Sequence, residues 1–306
     1  MALPNQYHPQ SRPHPGESLA EKLDEMEMGV NEFALRTCKP EKTIIAVLKG
    51  KSSITPDMAV AFERVTSIPV SFWLNHQQVY DEFIARNKYK TVITAAIPWA
   101  KRFPLAEMIR LGWLPKERTI EEKTVSLLQF FGLAKHEAWD EYYCKQNLQT
   151  AFRITLTHTK DPHAISAWLR RGELQANALY AEPYNEGKFK EALREIRTLM
   201  VRHPDECFET LQQICCEAGV KVVRTPCIKR APINGATRWI GDAPLIQISG
   251  HFKRNDVFWF TFFHEAGHIL LHGKKGIFLE DVNFVARDEV KEQEANAFAI
   301  RHTRLA

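Results

Sequence analysis

The alternation of hydrophobic and polar positions divides the chain into a long helical part and a shorter mixed part. Apolar residues recur every three or four positions through residues 16–83, which predicts five short helices. Thr55 and Pro56 have the residue types of an N-cap and a first helical position, so the fourth helix should begin there. Helical spacing returns over residues 105–217, where many segments end at glycine or proline.

The period changes after Gly219. VKVVRTPCI, ATRWIGD and LIQISG alternate or run apolar with β-branched residues, which predicts short strands. Helical spacing resumes over Asn255–His272 and again from Val290 to the end of the chain. The pattern therefore predicts a mostly α fold with a small β-sheet, of the α+β class.

Two segments lack this periodicity. Residues 1–15 are rich in proline and polar side chains and are interpreted as a disordered lead-in. Residues 84–104 contain five basic side chains and no acidic one, and are interpreted as a basic linker or arm. These segments leave a helical domain at 16–83, a helical connector at 105–217 that forms a sensor or covers a cleft, and a C-terminal domain at 218–306.

Composition excludes several classes of protein. Apolar residues make up 44% and charged residues 25% of 306, which is typical of folded domains. The net charge of +4 is mild, so a nucleic-acid partner has to be argued from local clusters. Six cysteines lack C-x-x-C spacing, residues 1–18 have no apolar core, and no apolar run is long enough for a membrane span. We expect free thiols, a cytoplasmic location and no membrane partner.

The motif HEAGH supplies candidate chemistry. His264 and His268 lie four residues apart, so both point from one helical face and can bind a single Zn²⁺. Glu265 is rotated by about 100° from His264 and lies beside the ion. It can take a proton from zinc-bound water and deliver it to the leaving amine. Alternatively, the histidines are a hydrogen-bonded surface pair, but the flanking helix is so apolar that burying them without a metal would be costly.

Zinc requires a third protein ligand. A metzincin would have glycine and histidine where this chain has Leu271 and Lys274, so that class is excluded. His272 lies one further turn along the helix and has drifted from the metal-binding face. His272 fits better as a residue that hydrogen-bonds a metal-binding side chain, or as a basic residue at the helix C-terminus.

A second predicted helix, KEQEANAFAI, offers the better third ligand. Glu292 and Asn296 share one face with the small Ala295, which lets two helices approach closely. Glu292 is the first candidate ligand and Glu294 the second. Asn296 can hydrogen-bond the outer nitrogen of a zinc-bound histidine.

PLIQIS, FWFTFFHEAGHILLHG and EQEANAFA together resemble the ImmA/IrrE family of zinc metallopeptidases over residues 219–300. The resemblance implies that His264, His268 and Glu292 bind zinc and that Glu265 is the catalytic base. It also implies that PLIQIS is an edge strand along which a substrate strand adds. Members of this family cleave or regulate DNA-binding repressors in stress responses or mobile-element control. The family's second helix usually continues, whereas this chain stops at AIRHTRLA, so we expect a shortened C-terminal part.

GESLAEKLDEMEMG, TIIAVLKGKSSITPDMAVAF and SFWLNHQQVYD resemble the helix-turn-helix domain of HigA-type antitoxins. The resemblance implies a five-helix domain whose third helix lies in the DNA major groove. Val30, Cys38, Pro40 and Glu41 depart from the usual residues of this motif, and Cys38 replaces the usual turn glycine.

Charge is concentrated around the third helix. Residues 36–51 contain five basic side chains and one acidic one, a net charge of +4, whereas residues 14–83 contain seven and eleven, a net charge of −4. This clustering is typical of a phosphate-contacting surface. The candidate DNA-binding residues are Lys39, Lys42, Thr43, Lys49 and Lys51.

Three hypotheses follow. The first is a DNA-binding regulator fused to a zinc metallopeptidase, with operator DNA and a protein substrate or cognate toxin as partners. The second is a HigA-type antitoxin or repressor whose zinc domain is non-catalytic and binds a partner. The third is a peptidase whose N-terminal helices form a dimerisation or protein-binding module. Since many helix-turn-helix proteins bind paired half-sites, we expect a homodimer.

Overall fold

A computed structural model of the chain describes residues 11–142, 161–202, 206–231, 233–249, 255–275, 278–280 and 289–304. The chain divides into two compact units, Met1–Val92 and Ile93–Ala306. Helices dominate and one small mixed sheet is present, so the predicted fold class is confirmed. No helix within these described ranges combines the length and apolar character needed to cross a membrane. The disordered lead-in predicted for residues 1–15 lies outside the described residues up to residue 10. At its other end the prediction is wrong, because buried His14 caps the first helix and Pro15 begins it.

The first unit is a helical domain, as predicted. Its helices are α1 (Pro15–Glu25), α2 (Val30–Arg36), α3 (Glu41–Leu48), α4 (Pro56–Thr66) and the first part of α5 (Val70–Ala100). They enclose an apolar core whose fully buried side chains include Leu19, Phe33, Ile44, Phe62 and Trp73.

Side-chain capping marks the start of two of these helices, α1 and α4. The Thr55 hydroxyl accepts a hydrogen bond from the Met58 N–H at 3.3 Å, which confirms the predicted N-cap of α4. At α1 the cap is His14, whose Nδ1 accepts from the Gly16 N–H at 2.9 Å. The turn between α2 and α3 places Cys38 at φ +51°, the left-handed region that favours glycine.

Helix α5 corrects one prediction. The sequence pattern ends the fifth helix near residue 83 and assigns residues 84–104 to a linker, but α5 continues to Ala100. The chain has no glycine or proline from Val70 to Ile97, so nothing interrupts the helical hydrogen bonds over that stretch, and Pro98 lies within the last turn of the helix. Ile93, Ala96 and Ala100 are buried at helical spacing. The boundary between the two units lies within this helix.

The second unit continues with helices and an aromatic core. The helices before the sheet are α6 (Leu105–Arg110), α7 (Ile120–Phe131), α8 (Glu137–Trp139), α9 (Pro162–Asn177), α10 (Glu186–Arg202) and α11 (Cys207–Glu217). Most of the predicted connector helices are therefore present. The helix predicted from Lys135 to Gln146 begins at Glu137 and continues as a π-helical turn over residues 140–142, and the last four residues of the prediction lie outside the described ranges.

The sheet contradicts the predicted place of PLIQIS. Its strands are β1 (Lys221–Thr225), β2 (Gly235–Ile240), β3 (Ala243–Ser249) and β4 (Phe278–Glu280), in the order β1-β3-β2-β4. PLIQIS lies in β3, which pairs in parallel with β1 and antiparallel with β2. It is therefore an inner strand, and its backbone groups are already paired on both sides. Continuous burial from Pro244 to Ser249 agrees with an inner position.

Two helices complete the unit, α12 (Asn255–His272) and α13 (Glu289–Thr303). The bounds of α12 are those predicted from the sequence. Every residue from Thr261 to Ile269 is buried, because α12 packs against β2, β3 and α13 on different sides. A side chain on Gly267 would come within 3.3 Å of Phe298, so the two helices approach closely at this glycine.

Candidate metal centre

The HEAGH motif and α13 bring three possible ligands together. His264 and His268 point from one face of α12, and their Nε2 atoms are 3.0 Å apart. Glu292 of α13 lies opposite, with carboxylate oxygens 3.5 Å from His264 Nε2 and 3.6 Å from His268 Nε2. Each of the three residues offers one ligand atom, and these atoms lie within 4.8 Å of one another.

These separations fit a small divalent cation. Tetrahedral Zn²⁺, with bonds of roughly 2.0–2.1 Å, holds its ligand atoms about 3.3–3.4 Å apart. The three observed distances of 3.0, 3.5 and 3.6 Å bracket that value. Two imidazoles and a carboxylate are also the ligand types of catalytic zinc sites, which keep a fourth position for water or substrate. The residues present therefore fit zinc.

The protonation of His268 is compatible with metal binding. Burial, with smaller contributions from His264, His272 and Lys291, lowers the pKa of His268 to about 2. The ring is therefore neutral at pH 7 and retains one nitrogen lone pair. Both histidine rings are 1% exposed.

The outer nitrogen of each histidine has its own partner. His264 Nδ1 lies 3.0 Å from Asn296 Oδ1, as the sequence predicts for an outer hydrogen bond. His268 Nδ1 lies 3.0 Å from His272 Nδ1. Glu294, the alternative third ligand, contacts His272 Nε2 at 3.0 Å and is absent from the three-residue ligand group.

Glu265 lies between α12 and the sheet. Its side chain is fully buried, and a Cβ added to Gly235 would lie 2.6 Å from its Oε1. Its backbone carbonyl accepts a hydrogen bond from the Thr237 hydroxyl at 3.0 Å. Sequence reasoning missed Gly235 and Thr237, because their nearness to α12 depends on how β2 packs rather than on any local motif.

The candidate DNA-binding residues lie around α3. Lys42 and Thr43 are in its first turn, and Lys49 follows its last residue. Lys42, Lys49 and Lys51 are exposed, whereas Thr43 is half-buried. Lys39 is also half-buried and forms an ion pair with Asp57, so part of its charge is already neutralised within the domain.

Comparison with known proteins identifies both ends of the chain. Residues 215–303 match the Peptidase_M78 family, described as the IrrE N-terminal-like domain. Over 70 residues the chain is 33% identical to the uncharacterized HTH-type transcriptional regulator YddM of Escherichia coli (strain K12). That match covers 23% of this chain and 74% of the relative.

Two solved structures are also similar in sequence to part of the chain. One is a putative antidote protein of a plasmid maintenance system from Nostoc punctiforme, with 34% identity, a TM-score of 0.26, and coverage of 26% of this chain and 90% of that one. The other is an addiction module antidote protein of a HigA family from Coxiella burnetii. Its identity is 37%, its TM-score is 0.26, and the match covers 28% of this chain and 95% of that one.

Proposed function

Since this chain belongs to the HTH-type transcriptional regulators through its N-terminal domain and carries an IrrE N-terminal-like domain at residues 215–303, we propose that it is an operator-binding regulator joined to a zinc-dependent endopeptidase. The convergence of His264, His268 and Glu292 carries the enzymatic half of this proposal. Its substrate is a regulatory protein or a cognate toxin, in stress response, mobile-element or toxin–antitoxin control.

The proposed chemistry assigns a separate task to each side chain. His264, His268 and Glu292 hold the ion, and Asn296 accepts a hydrogen bond from His264 and so orients its ring. A bound zinc would act as a Lewis acid on the peptide carbonyl and on the attacking water. Glu265 takes a proton from that water and passes it to the leaving amine. Burial of Glu265 keeps this carboxylate in a low-dielectric environment, where its interaction with developing charge is strong.

The enzymatic half is tested by metal analysis coupled to cleavage of a proteome-derived peptide library read by mass spectrometry. The wild type should contain one zinc per chain and cleave peptides. Glu265→Gln should retain zinc and lose cleavage, whereas Glu292→Gln should lose both. A correctly folded wild type that binds no zinc would reject the proposal.

Complete burial of Glu265 favours a second candidate function. Structural zinc sites are closed, and a fully buried base has to be uncovered before it meets substrate. In this second function the chain is an antitoxin-like repressor whose zinc domain binds a partner without cutting it. Stoichiometric zinc without any cleavage would favour it.

The DNA-binding half rests on the exposed lysines around α3. Each lysine that contacts a phosphate should contribute about 0.9 to the slope of log affinity against log salt concentration. Lys42→Ala and Lys49→Ala should each weaken binding to DNA from the upstream region of the gene and reduce that slope. Arg64→Ala, an exposed basic residue on α4, is the matched control. Equal salt-dependence slopes in all variants would contradict the proposed DNA-binding surface.

Light scattering would test the proposed homodimer.

A further inference from the structure

Three hydrogen-bonded side chains lead from the candidate metal centre to the surface. We call Glu294, His272 and His268 the outer hydrogen-bond chain. Glu294 Oε2 lies 3.0 Å from His272 Nε2, and His272 Nδ1 lies 3.0 Å from His268 Nδ1. The other nitrogen of His268 faces His264 and Glu292. The His272 side chain is 5% exposed and that of Glu294 is 55% exposed, so the outer hydrogen-bond chain leads from the buried centre to the surface.

The Glu294 carboxylate determines which atom donates and which accepts in each hydrogen bond of this chain. A carboxylate only accepts hydrogen bonds, so His272 must donate from Nε2. A neutral imidazole carries one N–H, and His272 Nδ1 is then an acceptor. His268 must therefore donate from Nδ1, which leaves the lone pair on its Nε2 directed at Glu292 and His264.

The opposite direction is incompatible with a metal. If His272 carried its proton on Nδ1, it would donate to His268 Nδ1, and the single proton of His268 would move to Nε2. That proton would occupy the position where a cation has to bind. The two tautomers of His272 therefore correspond to a competent and an incompetent state of His268.

The two candidate histidine ligands are oriented by different groups. Asn296 presents an amide to His264, and an amide has both an accepting oxygen and a donating nitrogen. Glu294 has no donor and cannot be satisfied in the reversed arrangement. The carboxylate is thus the group that fixes one polarity for the outer hydrogen-bond chain.

We propose that Glu294 is a positioning residue that, through His272, holds His268 in the one tautomer able to bind zinc. This inference rests on the proposed zinc function and extends it to a residue that the sequence presents as an alternative ligand. Glu294 then changes metal affinity without touching the metal.

Zinc affinity of the full chain, measured by competition with a chromophoric chelator, tests this role. Glu294→Lys places a donor opposite His272 Nε2, so it should favour the wrong tautomer and weaken zinc binding by about 10–100-fold, the range for groups behind a metal ligand. Glu294→Gln retains an accepting oxygen and should restore most of the affinity. Gln293→Lys adds a positive charge at the adjacent exposed position of α13 and should change affinity less than threefold, about 0.65 kcal/mol.

Nitrogen-15 NMR of the histidine rings provides a second readout. In zinc-loaded wild type, the His272 proton should be on Nε2 and the His268 proton on Nδ1. Absence of zinc binding by the wild type would overturn the proposed function and this inference together. Tight zinc binding by the wild type that Glu294→Lys leaves within twofold, or a His272 proton on Nδ1, would overturn this inference alone.

Discussion

Gly235 leaves room for the Glu265 carboxylate. An added Cβ would lie 2.6 Å from Glu265 Oε1 and 2.7 Å from Thr261 Cγ2, closer than van der Waals contact allows. Gly235 is not at positive φ, so glycine is required here because a side chain would clash, and not because of the backbone conformation. A hydrogen atom at this point of β2 is what lets the sheet lie directly over the candidate base.

Gly235→Ala should therefore displace the carboxylate and lower the free energy of unfolding by about 1–3 kcal/mol, the usual cost of overpacking. Denaturant unfolding of the zinc-loaded protein measures this cost. In a Glu265→Ala background the nearest clash is gone, so the same glycine substitution should cost less. Equal costs in the two backgrounds would show that Gly235 and Glu265 are not coupled.

His14 makes the stability of the α1 N-terminus depend on pH. Its Nδ1 accepts a hydrogen bond from Gly16 N–H, which requires a neutral ring, and burial lowers its pKa from the usual 6.5 despite opposing effects of Asp81 and Glu17. Below about pH 6.5 the unfolded chain takes up this proton more readily than the folded chain. This contribution to stability is therefore present above pH 6.5 and is lost as the pH falls.

His14→Asn keeps a capping acceptor that does not titrate in this range. The wild type should lose more stability than His14→Asn between pH 7.5 and pH 5.5, as measured by the urea midpoint of unfolding. Parallel losses in the two proteins would mean that the His14 ring does not sense pH.

At the scale of elements, the close packing of α12 against α13 determines the candidate centre. The two histidines lie on α12, and Glu292, Glu294 and Asn296 lie on α13. Ala295, on the same helix as these three residues, is fully buried. A separation of the helices would move all three α13 side chains away from the histidines at once.

Ala295→Leu should force that separation and weaken zinc binding by at least about tenfold, since it displaces Glu292 together with Asn296, the partner of His264, and Glu294, the partner of His272. Ala297→Leu, an exposed substitution of the same type on the same helix, should leave zinc affinity unchanged. Chelator competition measures both. The packing argument fails if the two variants bind zinc equally well.

Elements differ in how far the sequence could define them. The bounds of α12 followed from its local pattern, and the i, i+4 spacing of Glu292 and Asn296 placed them on one face. The inner position of β3 depends on pairing with β1, which comes from a distant part of the chain. LIQI, which is apolar apart from Gln247, was a local indication of an inner strand, whereas the family resemblance implied an edge strand. Likewise, the basic charge of residues 84–104 obscured a helix that continues to Ala100, although no glycine or proline precedes Pro98 in it.

At the scale of the whole molecule, the chain consists of two compact units with separate cores. The buried side chains of the helix-turn-helix core lie between Leu19 and Trp73, whereas the candidate centre lies in the second unit. The sequence predicted a division into a DNA-binding and a metal-binding part from two independent motifs. The division between Val92 and Ile93 lies within residues 84–104, which the sequence assigned to a linker, but this stretch is part of a continuous helix as far as Ala100.

Zinc removal should therefore act on one unit. Binding at a ligand concentration of about 100 times the dissociation constant stabilises a fold by about 2.7 kcal/mol. A chelator should lower the melting temperature of the second unit by about 5–10 °C and leave that of the first unchanged. Scanning calorimetry measures both transitions, and Glu292→Gln should show no response to the chelator. One transition that shifts as a whole would contradict thermal independence of the units.

The turn that carries Cys38 has a consequence for the stability of the helix-turn-helix unit. A side chain at φ +51° costs about 1–2 kcal/mol that glycine avoids. Because Cys38 is exposed, its thiol contributes little packing to offset that cost. We expect Cys38→Gly to raise the urea midpoint of this unit despite the greater chain entropy that glycine adds to the unfolded state. The turn between α2 and α3 is therefore less stable with cysteine at position 38 than it would be with glycine.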